Sequence, residues 1–353
     1  MSAKKNILPV FIPHLGCPHA CVFCNQHAIT GKAADEAMAS LDALLKEANC
    51  SDRESNGSRQ NRELAFYGGS FTAISSEKQL MYLEKAKQAL DAGLVSSVRV
   101  STRPDAVNPE TQERLRRYGI TTVELGAQSM RDDVLRLSGR GHSAEDVRRA
   151  SGLIRDGGFS LGLQMMTGLP GDDDEGAVFT ARELINLCPD FVRIYPTVIV
   201  RDTALERLWR AGAYCEHTVE DAVRICSRLL PLFDEAGIPV IRLGLNPTDR
   251  LSGGEVLAGA YHPALGELVR SRVLRNRMEE LLSACDCRGR EIEILVLPQF
   301  LSQAVGQKKA NLRWLADRFD LSSLRIHPCK EVIPAPAGAP ASEIQIHILK
   351  THP

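Results

Sequence analysis

The sequence predicts an α/β fold, a parallel sheet rolled into a barrel or an open part of one, with a small α+β domain after it. Three observations carry this. Short apolar runs alternate with amphipathic helical stretches in six strand-then-helix repeats, the pattern of parallel strands joined by right-handed crossovers. The least ordinary residue words stand directly after these runs, where a parallel barrel carries its chemistry. Beyond residue 250 the repeat stops and a more basic stretch follows.

In chain order the strands are Ile7 to Ile12, Leu64 to Tyr67, Val98 to Thr102, Thr122 to Leu125, Leu161 to Met166 and Phe191 to Tyr195, each a short apolar run. Ala34 to Ala48, Ser76 to Ala92, Pro109 to Tyr118, Ala144 to Arg155 and Glu175 to Leu187 have helical apolar spacing, and Ser143 to Asp146 reads as a helix start. The polar stretch Cys50 to Arg62 reads as a loop inserted before the second strand. A helix at Val219 to Ala236 and a strand at Pro239 to Leu243 close the first unit, so the expected domains are 1–250 and 251–353.

Composition bounds the function. A chain of 353 residues, 44% hydrophobic and 25% charged, has room for one large domain and a small one. Its net charge of -1 excludes a bulk polyanion binder and leaves room for local basic patches. The first residues, MSAKKNILPVFIPHLG, hold too short an apolar run for a signal peptide or a membrane span, and no later stretch is long enough to span. The seven cysteines outside the first loop (Cys50, Cys188, Cys215, Cys226, Cys285, Cys287, Cys329) form no regular disulfide framework, which fits a reducing compartment, so a cytoplasmic location without membrane contact is expected.

Directly after the first strand comes HLGCPHACVFCNQ, with Cys17, Cys21 and Cys24 spaced CxxxCxxC. Thiolates are soft ligands for zinc or for iron-sulfur clusters, and three on one tight loop can hold three irons of a four-iron cube. The fourth iron then stays open, as S-adenosylmethionine requires if its amino and carboxylate groups are to bind metal. A Cys3His zinc site that recruits His19 is the rival reading. His14, just before the loop, reads as structural or as a support rather than as a ligand.

The later strands end in words of their own. They are Tyr67-Gly68-Gly69-Ser70-Phe71-Thr72, Ser101-Thr102-Arg103-Pro104-Asp105, Glu124-Leu125-Gly126-Ala127-Gln128-Ser129 and Met166-Thr167-Gly168-Leu169-Pro170-Gly171. Taken singly, paired glycines and Pro-Asp or Pro-Gly merely end strands. Their order and shared placement after the cysteines point instead to one site. Arg103, Asp105, Glu124 and Tyr195 belong to its neighbourhood, where Asp105 can cap the next helix and Glu124 can pair with a buried arginine. His142 belongs to the turn after Arg140 and Gly141.

The cysteine loop, with Phe23 in the aromatic place of CxxxCx(aromatic)C, resembles the radical S-adenosylmethionine enzymes. Residues 1 to about 245 resemble the radical domain of the Elongator protein 3 family through YGGSFT, STRPD, VELGAQS, LSGRGHSAEDV, MMTGLPGD and IYPTVIVRDTALERLW, and more distantly oxygen-independent coproporphyrinogen oxidase. The resemblance implies a partial (β/α)6 barrel, a four-iron, four-sulfur (4Fe-4S) cluster on Cys17, Cys21 and Cys24, S-adenosylmethionine, and an electron donor of the flavodoxin or ferredoxin type. It implies that the backbone at Gly68 and Gly69 meets the methionine amino group, that Arg140 pairs the methionine carboxylate, and that Gln128 bonds the ribose. Gln164 and the segment Met165 to Leu169, with Met166, fall where such enzymes line the adenosine pocket. Ser101 stands where Elongator protein 3 has a glutamate, so the expected ribose-binding carboxylate is missing from that place.

After residue 250 the likeness ends, and no acetyl-coenzyme A loop of the QxxGxG/A kind is visible, so acetyl transfer by this chain alone is not expected. Instead Tyr261 to Glu267 leads into a basic helix with Arg270, Arg272, Arg275 and Arg277. Glu291 to Leu297 reads as a strand, and Gln303 to Asn311 leads into a helix, Leu312 to Phe319. Residues 261 to 330 hold 12 Lys and Arg against 8 Asp and Glu, a local surplus in a neutral chain. The GQKK word resembles the GxxG loop of KH nucleic-acid-binding domains with Lys309 in place of the second glycine, and a solvated charged helix pair is the rival reading. Arg270, Arg275, Lys308 and Lys309 are the expected nucleic-acid contacts. Pro334 to Pro340 reads as a stiff linker before a last strand, Glu343 to Leu349.

Three functional classes follow. The first is a radical enzyme modifying RNA, with tRNA as partner. The second is a radical enzyme on a small molecule such as a porphyrinogen. The third, a zinc-stabilised RNA-binding protein without catalysis, leaves the glycine, Gln128 and Arg140 constellation without a task.

Overall fold

The computed structural model describes residues 6–12, 17, 20–25, 34–54, 62–245, 254–329 and 344–348, without the side chains of 34–36, 50–54 and 344–348. Six strands, β1 (Asn6–Phe11), β2 (Arg62–Tyr67), β3 (Ser97–Thr102), β4 (Thr122–Gln128), β5 (Ser160–Thr167) and β6 (Phe191–Pro196), lie side by side in that order, all parallel. β7 (Val198–Val200) leaves the sheet and β8 (Val240–Leu243) completes it beside β6. β9 (Val256–Gly259) pairs antiparallel with β7.

The crossovers carry the expected helices α1 (Ala34–Glu54), α2 (Ser76–Asp91) and α3 (Pro109–Arg117), a short helix not read from the sequence, α4 (Asp132–Leu137), the expected α5 (Ala144–Asp156) and α6 (Asp174–Asn186), then a second unread short helix, α7 (Ala204–Arg210), and the expected α8 (Val219–Glu235). Ser143 and Asp146 form the reciprocal cap of α5 that their spacing suggests, and Thr218 with Asp221 does the same for α8. Contrary to the expected loop from Cys50, α1 runs on to Glu54. No glycine or proline interrupts Ala48 to Glu54, and polar residues cost a helix only about 0.7 kcal/mol or less each. Residues 55–61 lie outside the described residues.

Alternation along the strands sorts the sheet into two faces. Leu64, Phe66, Val98, Val100, Val123, Leu125, Leu161, Leu163, Val192 and Ile194 are buried. Their neighbours on the other face are Glu63, Tyr67, Arg99, Ser101, Glu124, Gln164, Arg193 and Tyr195. This polar face is concave. The Arg193 Nη2 on β6 donates to the Tyr67 hydroxyl on β2 at 2.9 Å. In a flat sheet, four strand spacings of about 4.8 Å would hold these strands about 19 Å apart. The sheet is therefore curled into part of a barrel.

Charge fills the hollow in matched pairs. Arg99 reaches Glu63 at 2.6 Å and also pairs with Glu124, which accepts from Arg193 Nη2 at 3.0 Å. Glu124 thus does pair with buried arginines. Removing one member of such a buried set leaves an uncompensated charge, a loss of about 3–5 kcal/mol.

The chain divides into two compact units, residues 1–222 with 232–263 and residues 223–231 with 264–353. The boundary expected at 250 falls inside the first. In the second, α9 (Leu265–Ser283) precedes β10 (Glu291–Val296), α10 (Leu301–Val305), α11 (Ala310–Phe319), β11 (Ser323–Pro328) and β12 (Ile344–Ile348). β10 is central, parallel to β11 and antiparallel to β12. Leu274, Met278 and Leu282 of α9 pack with Ile292, Ile294, Val296, Ala304 and Leu315 as its core. The Pro334 to Pro340 linker lies outside the described residues. Among the described residues no helix is long and apolar enough to cross a membrane.

Candidate active site at the strand ends

The cysteine loop is held by backbone bonds. Ile12 N–H extends β1 by donating to Tyr67 O at 2.7 Å. Val22 donates to Ser138 O at 3.0 Å and receives Leu205 N–H at 2.8 Å, while Cys24 N–H folds back onto Cys21 O at 3.1 Å. All three cysteines are half-buried. Cys17 Sγ lies 3.4 Å from Ser70 Oγ in the turn after β2. The loop's donor set is thiol only within the described residues, since His14 and His19 lie outside them. No three described His, Cys, Asp or Glu side chains converge as ligands of one ion. A four-iron cube asks for a different arrangement, in which each thiolate takes its own iron.

Arg140 joins this loop to the sheet. Its Nη1 donates to Cys21 Sγ at 3.3 Å and its Nη2 to Gly126 O on β4 at 2.6 Å. Its own carbonyl accepts from Arg103 Nη2 at 2.6 Å, and Arg103 forks onto Asp105 at 2.8 and 3.0 Å. Asp105 is therefore an arginine partner rather than a side-chain cap, since Asn108 caps α3.

At the end of β4 the register with β5 slips between Gly126 and Gln128. Gln128 takes φ 66°, a left-handed value that side chains adopt only where surroundings impose it, and accepts from Gln164 Nε2 at 3.2 Å. A Cβ on Gly126 would come within 2.8 Å of Gln128 Nε2 and 3.2 Å of Arg140 Nη2, so a side chain there would push the ends of both aside. Gly68, in the turn that brings Ser70 to Cys17, has φ 94°. His142 Nε2 lies 3.2 Å from Ala127 O, the carbonyl at the bulge. Burial, then the nearby Arg140 charge, pushes its pKa down to about 4, so the ring is neutral and Nε2–H donates.

The predicted residues thus meet. Cys21, Arg140, Gln128 and Gln164 are joined by direct bonds or through β4, Cys17 meets the turn after β2 at Ser70, and Met166 packs with Val134 and Leu169 against Phe23 of the cysteine loop and Tyr195. Gly69 follows Gly68 in the same turn. Ser101 is turned to the hollow, where its Oγ donates to Glu124 Oε2 at 3.4 Å across the β3–β4 register. Beyond Glu124, the charged lining was not read from the sequence. Charged residues at every second place of apolar strands, Glu63, Arg99, Glu124 and Arg193, were the available signal.

In the second unit the four expected contacts differ among themselves. Arg270, Lys308 and Lys309 are exposed. Arg275 instead lies over the Trp314 ring, 4.1 Å from its centroid. Lys308 and Lys309 hold consecutive left-handed conformations, φ 50° and 61°, between α10 and α11. The buried Asn311 amide fixes this turn by donating to Ser271 O, Gln303 O and Ala304 O at 3.0–3.1 Å, and Arg313 donates to Lys308 O.

A Radical SAM superfamily model matches residues 11–184 and a Radical_SAM C-terminal domain model residues 189–275. The tRNA uridine(34) acetyltransferase of Methanocaldococcus jannaschii is 28% identical over 247 residues, 60% of this chain and 46% of that protein. The human Elongator complex protein 3 is 28% identical over 253 residues, 66% of this chain and 44% of that protein. The chain thus spans about half the length of the curated relatives it matches. The solved archaeal Elongator protein 3 of Methanocaldococcus infernus, lacking residues 1–46, superposes with a TM-score of 0.60 at 22% identity over 82% of this chain and 66% of that one, a likeness of fold. Two family models that follow one another along the chain, and relatives of one kind over more than half of it, leave one conclusion. The chain belongs to the radical S-adenosylmethionine superfamily, with a radical domain of the Elongator protein 3 kind, an enzyme family that works with a 4Fe-4S cluster and S-adenosylmethionine.

Proposed function

We propose that Cys17, Cys21 and Cys24 hold the cluster by three of its irons and that the enzyme modifies a uridine in tRNA. The observation that carries the first part is the meeting of half-buried cysteines and a guanidinium at one edge of the sheet, with Arg140 already donating to Cys21 Sγ. Once bound, the cluster and S-adenosylmethionine supply a 5'-deoxyadenosyl radical. The chain's own residues bind and orient. Gly68 and Gly69 offer close backbone to the methionine amino group, and Arg140 offers its charge to the methionine carboxylate. Gln128 serves the ribose, Gln164 and Met166 border the adenosine, and Ser101 occupies the place of an absent carboxylate. An electron of flavodoxin or ferredoxin origin is part of this reading.

Two observations support tRNA. The curated relatives are named for tRNA uridine or for the Elongator complex. The second unit also presents Lys308 and Lys309 on a fixed turn, with Arg270 exposed on α9, as basic side chains suited to phosphates. Arg275, stacked on Trp314, supports the fold of that surface.

The test is anaerobic reconstitution followed by iron and sulfide analysis, then 5'-deoxyadenosine measured with and without total tRNA. About four irons per chain are expected, lost in each of Cys17→Ala, Cys21→Ala and Cys24→Ala. Total tRNA is expected to raise 5'-deoxyadenosine formation. Full cluster content in all three variants would defeat the ligand assignment, and stimulation by small-molecule extracts but not by tRNA would move the substrate to the porphyrinogen class.

A further inference from the structure

The hollow contains a group that cofactor binding leaves without a task. Arg193, near the end of β6, donates through Nη2 to the Tyr67 hydroxyl at 2.9 Å and through Nη1 to the Tyr195 hydroxyl at 3.2 Å. Each phenol oxygen therefore accepts, and its own proton is left to give. Neither hydroxyl donates to any acceptor among the described residues. Both tyrosines are half-buried at strand ends. Tyr67 immediately precedes Gly68, and Tyr195 packs against the apolar cluster that also touches Phe23 of the cysteine loop. The phenols thus stand beside the place assigned to the cofactor.

Electrostatics narrows what they bind. Arg193 and Arg99 are matched by Glu124 and Glu63, so the lining is neutral as a set. A site of two O–H donors with no surplus charge suits a neutral acceptor better than a phosphate or carboxylate. Burial, then the Glu124 charge, pushes the Tyr67 pKa up to about 12, which keeps its proton in place at working pH.

The geometry points to Tyr67 and Tyr195 as a two-donor anchor for a carbonyl oxygen of the substrate base, held in register by Arg193. This deepens the uridine reading and rests on it: a uracil ring offers carbonyl acceptors on its edge. The donors are set before substrate arrives, so they can steady charge or spin that spreads onto that oxygen when the adjoining carbon reacts. Affinity for the whole tRNA would come chiefly from phosphate contacts, so the anchor acts on turnover more than on binding.

The test uses cluster-loaded parent, Tyr67→Phe, Tyr195→Phe and the double variant, with total tRNA as probe. The readout is the ratio of 5'-deoxyadenosine formed with and without tRNA, so that any change in unstimulated turnover divides out. Maximal stimulation is expected to fall at least about tenfold in the double variant, while the half-saturating tRNA concentration moves less than about twofold. A double variant stimulated like the parent overturns the anchor while leaving the tRNA reading intact. A cluster-loaded parent that tRNA does not stimulate overturns the tRNA reading, and the base carbonyl with it. Loss of the cluster in both single variants would make the phenols structural and equally overturn the proposal.

Discussion

At the scale of single residues, chemistry that depends on side-chain type was legible and chemistry that depends on approach was not. The spacing of Cys17, Cys21 and Cys24, on which their proposed cluster role rests, is read directly, whereas the bond from Arg140 to Cys21 joins residues far apart in sequence and needs the fold to bring them together. His142 shows the same limit, since in the sequence it is a turn residue and in the structure it is a buried neutral donor to the β4 bulge. Its titration makes a prediction. Between about pH 6.5 and about pH 4 the unfolded chain holds the imidazole proton and the folded chain does not, so stability falls as pH falls through that window, by up to about 3 kcal/mol. Asp172 works the other way, because burial raises its pKa to about 6 and the folded chain then takes up its proton more readily. Comparing parent with His142→Gln therefore isolates the histidine. Denaturant unfolding at pH 7 and pH 5 is expected to show a smaller acid loss in the variant, and equal losses in both would show that His142 does not carry this dependence.

At the scale of elements, apolar runs and helical spacing located each strand of the curled sheet to within a few residues, because a buried parallel strand writes a near-continuous apolar run. The length of α1 escaped, since a polar helix end and a polar loop have the same composition. The β4 bulge escaped too, because a one-residue slip in register leaves no mark on apolar periodicity. This bulge orders the expected effects of substitution on S-adenosylmethionine binding. Gln128→Ala removes one neutral hydrogen bond, about 1 kcal/mol. Arg140→Ala removes a buried cation, about 2–5 kcal/mol. Gly126→Ala should exceed Gln128→Ala because its Cβ crowds the ends of both Gln128 and Arg140. Calorimetric titration of the cluster-loaded variants gives the order, and a Gly126→Ala protein that binds like the parent would remove the bulge from the site.

At the scale of the molecule, the alternation of strands and helices foretold the parallel sheet, but the matched charges in its hollow became visible only when the curl brought β2 and β6 together. The second unit was legible as a basic strand-and-helix segment, while the two successive left-handed lysines could not be read from a word that lacks a second glycine. Such a backbone costs of order 1–3 kcal/mol per residue and persists because Asn311 and Arg313 over-determine the turn. If the enzyme acts on tRNA, this turn is where the second unit should meet phosphate. Each phosphate neutralised by a lysine releases bound counterions, so the logarithm of affinity falls with the logarithm of salt by about 0.7 per contact on single-stranded RNA. Changing Lys308 and Lys309 together to alanine should therefore lower tRNA affinity and make it less dependent on salt, by about 1.4 in slope if both contacts are lost. Filter binding of total tRNA to the cluster-loaded protein across a salt series measures both quantities. A loss of affinity with an unchanged slope would mean that the turn shapes the surface without touching phosphate, and unchanged affinity at every salt would place the RNA contacts elsewhere on the chain.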